Sequence, residues 1–117
     1  MRIERERFEA LVGAALKRLP TRFRRALHNI AIMVEDRPPL GQNLLGLYHG
    51  IPLDQRSSWY GNVPPDVIVI YQEPIERLGV SDEDIEAKIR TVVLHEIGHY
   101  FGLDEKTLRE IERDLDY

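Results

Sequence analysis

Cysteine is absent from this chain of 117 residues. That excludes a disulfide framework and any thiolate-held metal, so histidine, carboxylate or water must supply whatever ligands a metal has. Also missing is an apolar run near the roughly 20 residues that a membrane span needs. The opening stretch, MRIERERFEA, alternates charges where a signal peptide has an apolar core, so no leader is expected. Positive charge is not in excess either. The formal net charge is −4, and neither nucleic acid nor an anionic membrane is an expected partner. No internal repeat or low-complexity tract breaks the chain. What remains is the balance of a globular protein, 43% hydrophobic and 31% charged, at a length that supports one core. A single domain over residues 1–117, monomeric and in a reducing cytoplasm, is the expectation.

Hydrophobic spacing divides the chain into helices and strands. From Glu4 to Leu19, the positions Phe8, Leu11, Val12, Ala15, Leu16 and Leu19 recur at intervals of three and four, an amphipathic helix closed by Pro20. A further turn of helix is predicted over Thr21–Leu27. NIAIMVED alternates Ile30, Ile32 and Val34 with Ala31, Met33 and Glu35, which predicts a strand stopped by Pro38 and Pro39. LLGLYHG (Leu44–Gly50) is a second strand whose glycines point to a bend or a close backbone approach. Ile51 to Asp66, with its prolines and Trp59-Tyr60, reads as a long irregular loop. DVIVIY (Asp66–Tyr71) is a buried strand, and Pro74 to Gly79 a turn of helix. Ser81 then stands as the N-cap of a long helix that ends at Gly102, with Asp84 in the capping-box position. A last helix from Glu105 to Leu115 carries Leu108, Ile111 and Leu115 on one side.

The second half of the long helix is unusual. At about 100° per residue, Ile85, Ile89 and Val92 share an arc with Glu96 and His99, and His95 lies beside it. Val93, Leu94, Ile97, Tyr100 and Phe101 fill most other directions, as in a buried helix. Unpaired imidazoles and carboxylates there are costly. A divalent metal compensates, because His95 and His99 stand one turn apart and can offer ring nitrogens to one ion. Glu96 is offset from both, placed to take a proton from a water on that ion. HEIGH is thus an HExxH motif.

Two histidines leave a catalytic zinc site one protein ligand short of the usual three. Gly102 lets the chain turn back, and Asp104 and Glu105 follow at once. Glu105 is the expected third ligand, Asp104 its competitor, and the alternative is that both acids cap the last helix.

HEIGHYFGLDE, preceded by LLGLYHGIPL, DVIVIYQEPIE and a capped helix, resembles the minimal zincin-like metallopeptidases, small bacterial proteins first catalogued as a domain of unknown function. The likeness runs from about Ile30 to Leu115. It implies an α+β fold with a small mixed β-sheet packed on an active-site helix, flanked by an N-terminal amphipathic helix and a short C-terminal one. It also implies one zinc ion held by His95, His99 and an acid after Gly102, with Glu96 as the base. Two features depart from larger metzincins: no methionine follows the motif, and twelve residues follow Glu105.

The leading expectation is a zinc-dependent peptidase acting on peptides or proteins, with the strand Leu44–Tyr48 offering an edge to an extended substrate. Tyr48 and His49 are candidates to polarise its carbonyl, against an ordinary packing or surface role. The departures motivate a second reading, a metal- or protein-binding module with little turnover. A third, metal-dependent hydrolysis of RNA, rests on the basic run KRLPTRFRR (Lys17–Arg25), which a solvated helix end explains better. His28 is expected to be structural or at the surface, and Arg90, Arg109 and Arg113 to make helix-surface pairs.

Overall fold

Phe8, Val12 and Ala15 bury one face of the first helix, α1 (Arg5–Lys17), in the computed structural model, which describes residues 2–50 and 66–114. Pro20 separates it from α2 (Thr21–Ala26), and a 3-10 turn (Leu27–Asn29) leads into β1 (Ile30–Glu35). Then come β2 (Gly46–His49), β3 (Asp66–Tyr71), α3 (Gln72–Glu76), α4 (Asp82–Tyr100) and α5 (Glu105–Asp114). The predicted loop from Ile51, with Trp59 and Tyr60, lies outside the described residues, as does Leu115.

The three strands form a mixed sheet in the order β1-β3-β2. β1 runs parallel to β3, pairing Ile32 with Ile68 and Val34 with Ile70. β2 runs antiparallel to β3, pairing Gly46 with Ile70 and Tyr48 with Ile68. Because side chains alternate across a strand, one sheet face collects Ile30, Ile32, Val34, Ile68, Ile70 and Tyr48. These residues join a core that also takes in Phe8, Val12 and Ala15 of α1 and Ile85, Ile89, Val92 and Val93 of α4. Each large apolar side chain so buried contributes about 1.5–3 kcal/mol. The α+β architecture and the packing of a small mixed sheet on the motif helix agree with expectation.

Several boundaries differ from the sequence reading, α1 ending at Lys17 rather than Leu19 among them. α3 starts at Gln72 rather than at Pro74. The proline then falls in the first turn, where its missing N–H costs nothing, and the Asp36 carbonyl accepts the Glu73 N–H at 2.9 Å. β2 is also shorter than Leu44–Gly50. Its ladder stops at His49, because Gly50 turns away at φ +152°, tight against Asp66 and the Tyr48 hydroxyl.

A polar clasp at the opposite end was not foreseen. Arg5 Nε donates to Gln72 Oε1 (2.7 Å) and Arg5 Nη1 to the Val34 carbonyl (3.1 Å). Gln72 Nε2 donates to the Ile3 carbonyl (2.9 Å), and the Ile3 N–H donates to Glu76 Oε2 (2.7 Å). These bonds satisfy the buried Gln72 and Glu76 and tie the start of α1 to β1 and α3.

Candidate metal centre

Both ends of α4 are chemically fixed. At its start, Ser81 Oγ accepts the Asp84 N–H (3.2 Å), and Asp84 Oδ2 accepts the Val80 N–H (3.1 Å). At its end, Gly102 adopts φ +73°, open to glycine at little cost. Its N–H donates to the His99 carbonyl (3.0 Å), and the Leu103 N–H donates to the Gly98 carbonyl (2.9 Å). The chain therefore reverses directly beyond the second histidine.

Asp104 then caps α5, its Oδ1 accepting the Thr107 N–H at 2.8 Å. That bond, with the Thr107 hydroxyl and Lys106 nearby, holds the Asp104 carboxyl below the usual aspartate range. Capping occupies Asp104 and leaves Glu105, the first residue of α5, to face the histidines. Leu108, one turn later, seats α5 on α4 by filling the space above Gly98, where a Cβ would stand 2.1 Å from Leu108 Cδ2. Sequence reasoning did not single out Gly98. The signal was present, since glycine inside a helix is unfavourable unless something needs the room.

Glu105 Oε1 lies 3.1 Å from His95 Nε2 and 3.9 Å from His99 Nε2. One ligand atom from each of these residues falls within 4.8 Å of the others, and they form the metal-capable cluster among the described residues. Zinc bonds of 2.0–2.2 Å in a tetrahedron put ligand atoms roughly 3.3 Å apart. The donor set therefore fits a zinc ion after a small inward adjustment of side chains, and its nitrogen and oxygen chemistry suits that ion.

The histidines are less enclosed than the helical wheel implied. Their side chains are 32% and 41% exposed, whereas Glu96 is buried. The physical reason is the way β2 crosses α4. Gly46 brings the strand so close that a Cβ would meet Val92 Cγ1 at 2.6 Å and Glu96 Cγ at 3.5 Å. Val92 and Glu96 are covered there, and the histidines emerge beyond the strand. The close backbone approach expected of the β2 glycines is thus located at Gly46.

Glu96 is held on two sides. The backbone N–H of Tyr48 donates to its carboxylate, and Glu96 Oε1 lies 3.1 Å from His99 Nδ1. Burial pushes its pKa above the usual glutamate value, an effect that the positive potential of His99 and His95 and these hydrogen bonds only partly offset. A carboxyl with a raised pKa beside a metal-capable cluster is suited to proton transfer.

Of the two residues proposed to polarise a carbonyl, Tyr48 points elsewhere. Its hydroxyl donates to Asp66 Oδ2 (2.9 Å), and its ring meets Tyr100 edge-on. His49 is exposed at the end of β2. Asp66 is buried and anchors Tyr48, a role that one acid before an apolar run does not reveal in the sequence. Arg90 is buried rather than a surface residue and pairs with Glu86 at 3.0 Å. His28 is exposed, as expected. In the basic run, Arg18 meets Glu86 (3.4 Å), Arg22 lies over the Phe23 ring (4.6 Å) and Arg24 reaches the Lys17 carbonyl (3.5 Å).

Comparison with known proteins gives concordant results. A family model described as zincin-like metallopeptidase matches residues 27–115. No curated protein matches the chain. Among solved structures, a conserved hypothetical protein from Thermus thermophilus is similar, with a TM-score of 0.60 and 23% identity over 85% of this chain and 94% of that one. At that identity the likeness speaks for the fold.

Proposed function

The chain belongs to the zincin-like metallopeptidase family, and from that premise we propose that it is a zinc-dependent peptidase with His95, His99 and Glu105 as ligands of one ion and Glu96 as general base. The supporting observation is the convergence of His95, His99 and Glu105 donors within 4.8 Å, beside a buried carboxylate. Zinc held there would polarise a scissile carbonyl and acidify water.

Glu96 takes a proton from the attacking water and returns it to the leaving amine. The raised pKa favours the first transfer, because a more basic carboxylate accepts the proton of the water more readily. β2 is an edge strand in the order β1-β3-β2, so an extended peptide can lie along it and meet the histidines where they emerge. The absence of cysteine suits a cytoplasmic protein, and no helix among the described residues is long and apolar enough to cross a membrane. The basic run is partly engaged in local contacts, which suits a solvated helix end better than RNA binding.

The test is a peptide-library digest with zinc-loaded protein and a Glu96→Gln control. Cleavage by wild type alone is expected. Undiminished cleavage by pure Glu96→Gln would remove the general-base assignment. Zinc binding without any cleavage would instead favour the metal-binding module.

A further inference from the structure

We infer that the cleft between α2 and α5 is a docking site for the C-terminal residue of a peptide, with an apolar side chain on the Phe23 and Phe101 rings and the free carboxylate on Arg22. The inference is independent of the metal-site reading, because it uses the other side of α5.

The cleft has a volume of about 360 Å³ and is lined by Arg22, Phe23, Phe101, Leu103, Thr107 and Ile111. Phe23 is the residue of α2 that turns inward, and its ring meets Phe101 edge-on with centroids 5.6 Å apart. Gly102 then reverses the chain, so that Leu103 and α5 come back beside α2. At about 100° per residue, Thr107 and Ile111 share one face of α5, and Glu105 projects from the opposite one. The helix thus separates the cleft from the histidines.

An apolar lining with one cation at its rim suits an apolar group that carries one negative charge. The Arg22 guanidinium lies 4.6 Å from the Phe23 ring centroid, and among the described residues no ion pair or side-chain hydrogen bond engages it. Stacking steadies the planar fork and leaves its N–H edge for a carboxylate. Neighbouring charges favour the anion at this end. No acidic residue stands between Glu9 and Glu35, a stretch in which Lys17, Arg18, Arg22, Arg24 and Arg25 are all exposed. At the other end, the Asp104 carboxylate caps α5 at Thr107 and repels a second anion.

The closeness of ring and guanidinium requires the apolar bulk and the charge to sit within a few atoms of each other. A C-terminal residue meets that requirement, because its side chain and its carboxylate leave the same carbon. A long alkyl carboxylate spreads its bulk beyond a cleft at the small end of ligand sites.

The test is a proton–nitrogen NMR titration of the full chain, with and without zinc, using N-acetyl-phenylalanine as the probe. N-acetyl-phenylalaninamide, N-acetylglycine and octanoate are the comparisons. Saturable shifts at the Phe23, Leu103, Thr107 and Ile111 amides are expected, the same in both zinc states. Affinity should fall about fivefold for the amide, and by a similar factor for the acid on Arg22→Gln, an exposed position that leaves the core intact. N-acetylglycine should bind least. Equal binding of acid and amide, wild-type affinity in Arg22→Gln, or no saturation by roughly 10 mM would overturn the inference. Tighter binding of octanoate than of the probe would assign the cleft to a free amphiphile and overturn it too. Shifts confined to the surroundings of His95 and His99 would do the same, by placing the carboxylate at the metal centre.

Discussion

Leu108 of α5 occupies the volume that a side chain at position 98 would need. From the hypothetical Cβ at Gly98, Leu108 Cδ2, Cδ1 and Cγ stand at 2.1, 2.8 and 2.9 Å, so rotating one methyl away does not relieve the overlap. The glycine within HEIGH is therefore a packing requirement, and it connects the motif helix to the helix that carries Glu105.

Gly98→Ala should consequently destabilise the protein despite the better helix propensity of alanine. Propensity favours alanine by about 1 kcal/mol, but overpacking a filled site typically costs about 1–3 kcal/mol. Displacing α5 also moves Glu105, so zinc affinity should fall with stability. Thermal unfolding and metal titration of the variant check this, and a variant more stable than wild type would show that α5 does not pack as described.

Glu96→Gln should stabilise the metal-free protein increasingly as pH rises. Burial raises the folded-state pKa of Glu96 above its unfolded value. Between those two values the native state binds more protons than the unfolded state, so its stability falls as pH rises. Above the folded value the penalty of the buried charge is fully present. Glutamine carries no such penalty. Melting temperatures in chelator should be similar for both proteins near the ordinary glutamate pKa and diverge toward neutral pH, with the variant higher.

Removing metal should loosen α5 from α4. A ligand at 100 times its dissociation constant stabilises by about 2.7 kcal/mol, which in a domain of this size is a shift of about 10 °C. Scanning calorimetry with zinc and with chelator should show that difference in wild type and little of it in Glu105→Ala. An unchanged difference in the variant would leave Glu105 without a role in binding.

Asp104→Ala should fray the first turn of α5, and Asp104→Asn should largely preserve it, since both Asp and Asn accept the Thr107 N–H. The Asp104 pKa is lowered in the folded protein, so its contribution is present above the unfolded value and lost as pH falls through the folded one. The protection of the Thr107 amide from hydrogen exchange, taken relative to the intrinsic rate at each pH, should fall on acidification in wild type and change less in Asp104→Asn.

Elements that depend on neighbours along the chain are legible in the residues alone. Ser81 with Asp84 marks the start of α4 and Gly102 its end, because caps are local hydrogen-bonding problems with few solutions. HEIGH places two imidazoles one turn apart for the same reason: helical geometry alone sets that spacing. Whatever requires two distant segments to meet is settled only by packing. Which of Asp104 and Glu105 faces the histidines depends on how α5 docks through Leu108 onto Gly98. How deeply each polar group of α4 is buried depends on where Gly46 lets β2 cross. That Tyr48 bonds Asp66 and offers its N–H to Glu96 follows from strand register, which a periodic pattern leaves open until a partner strand fixes it.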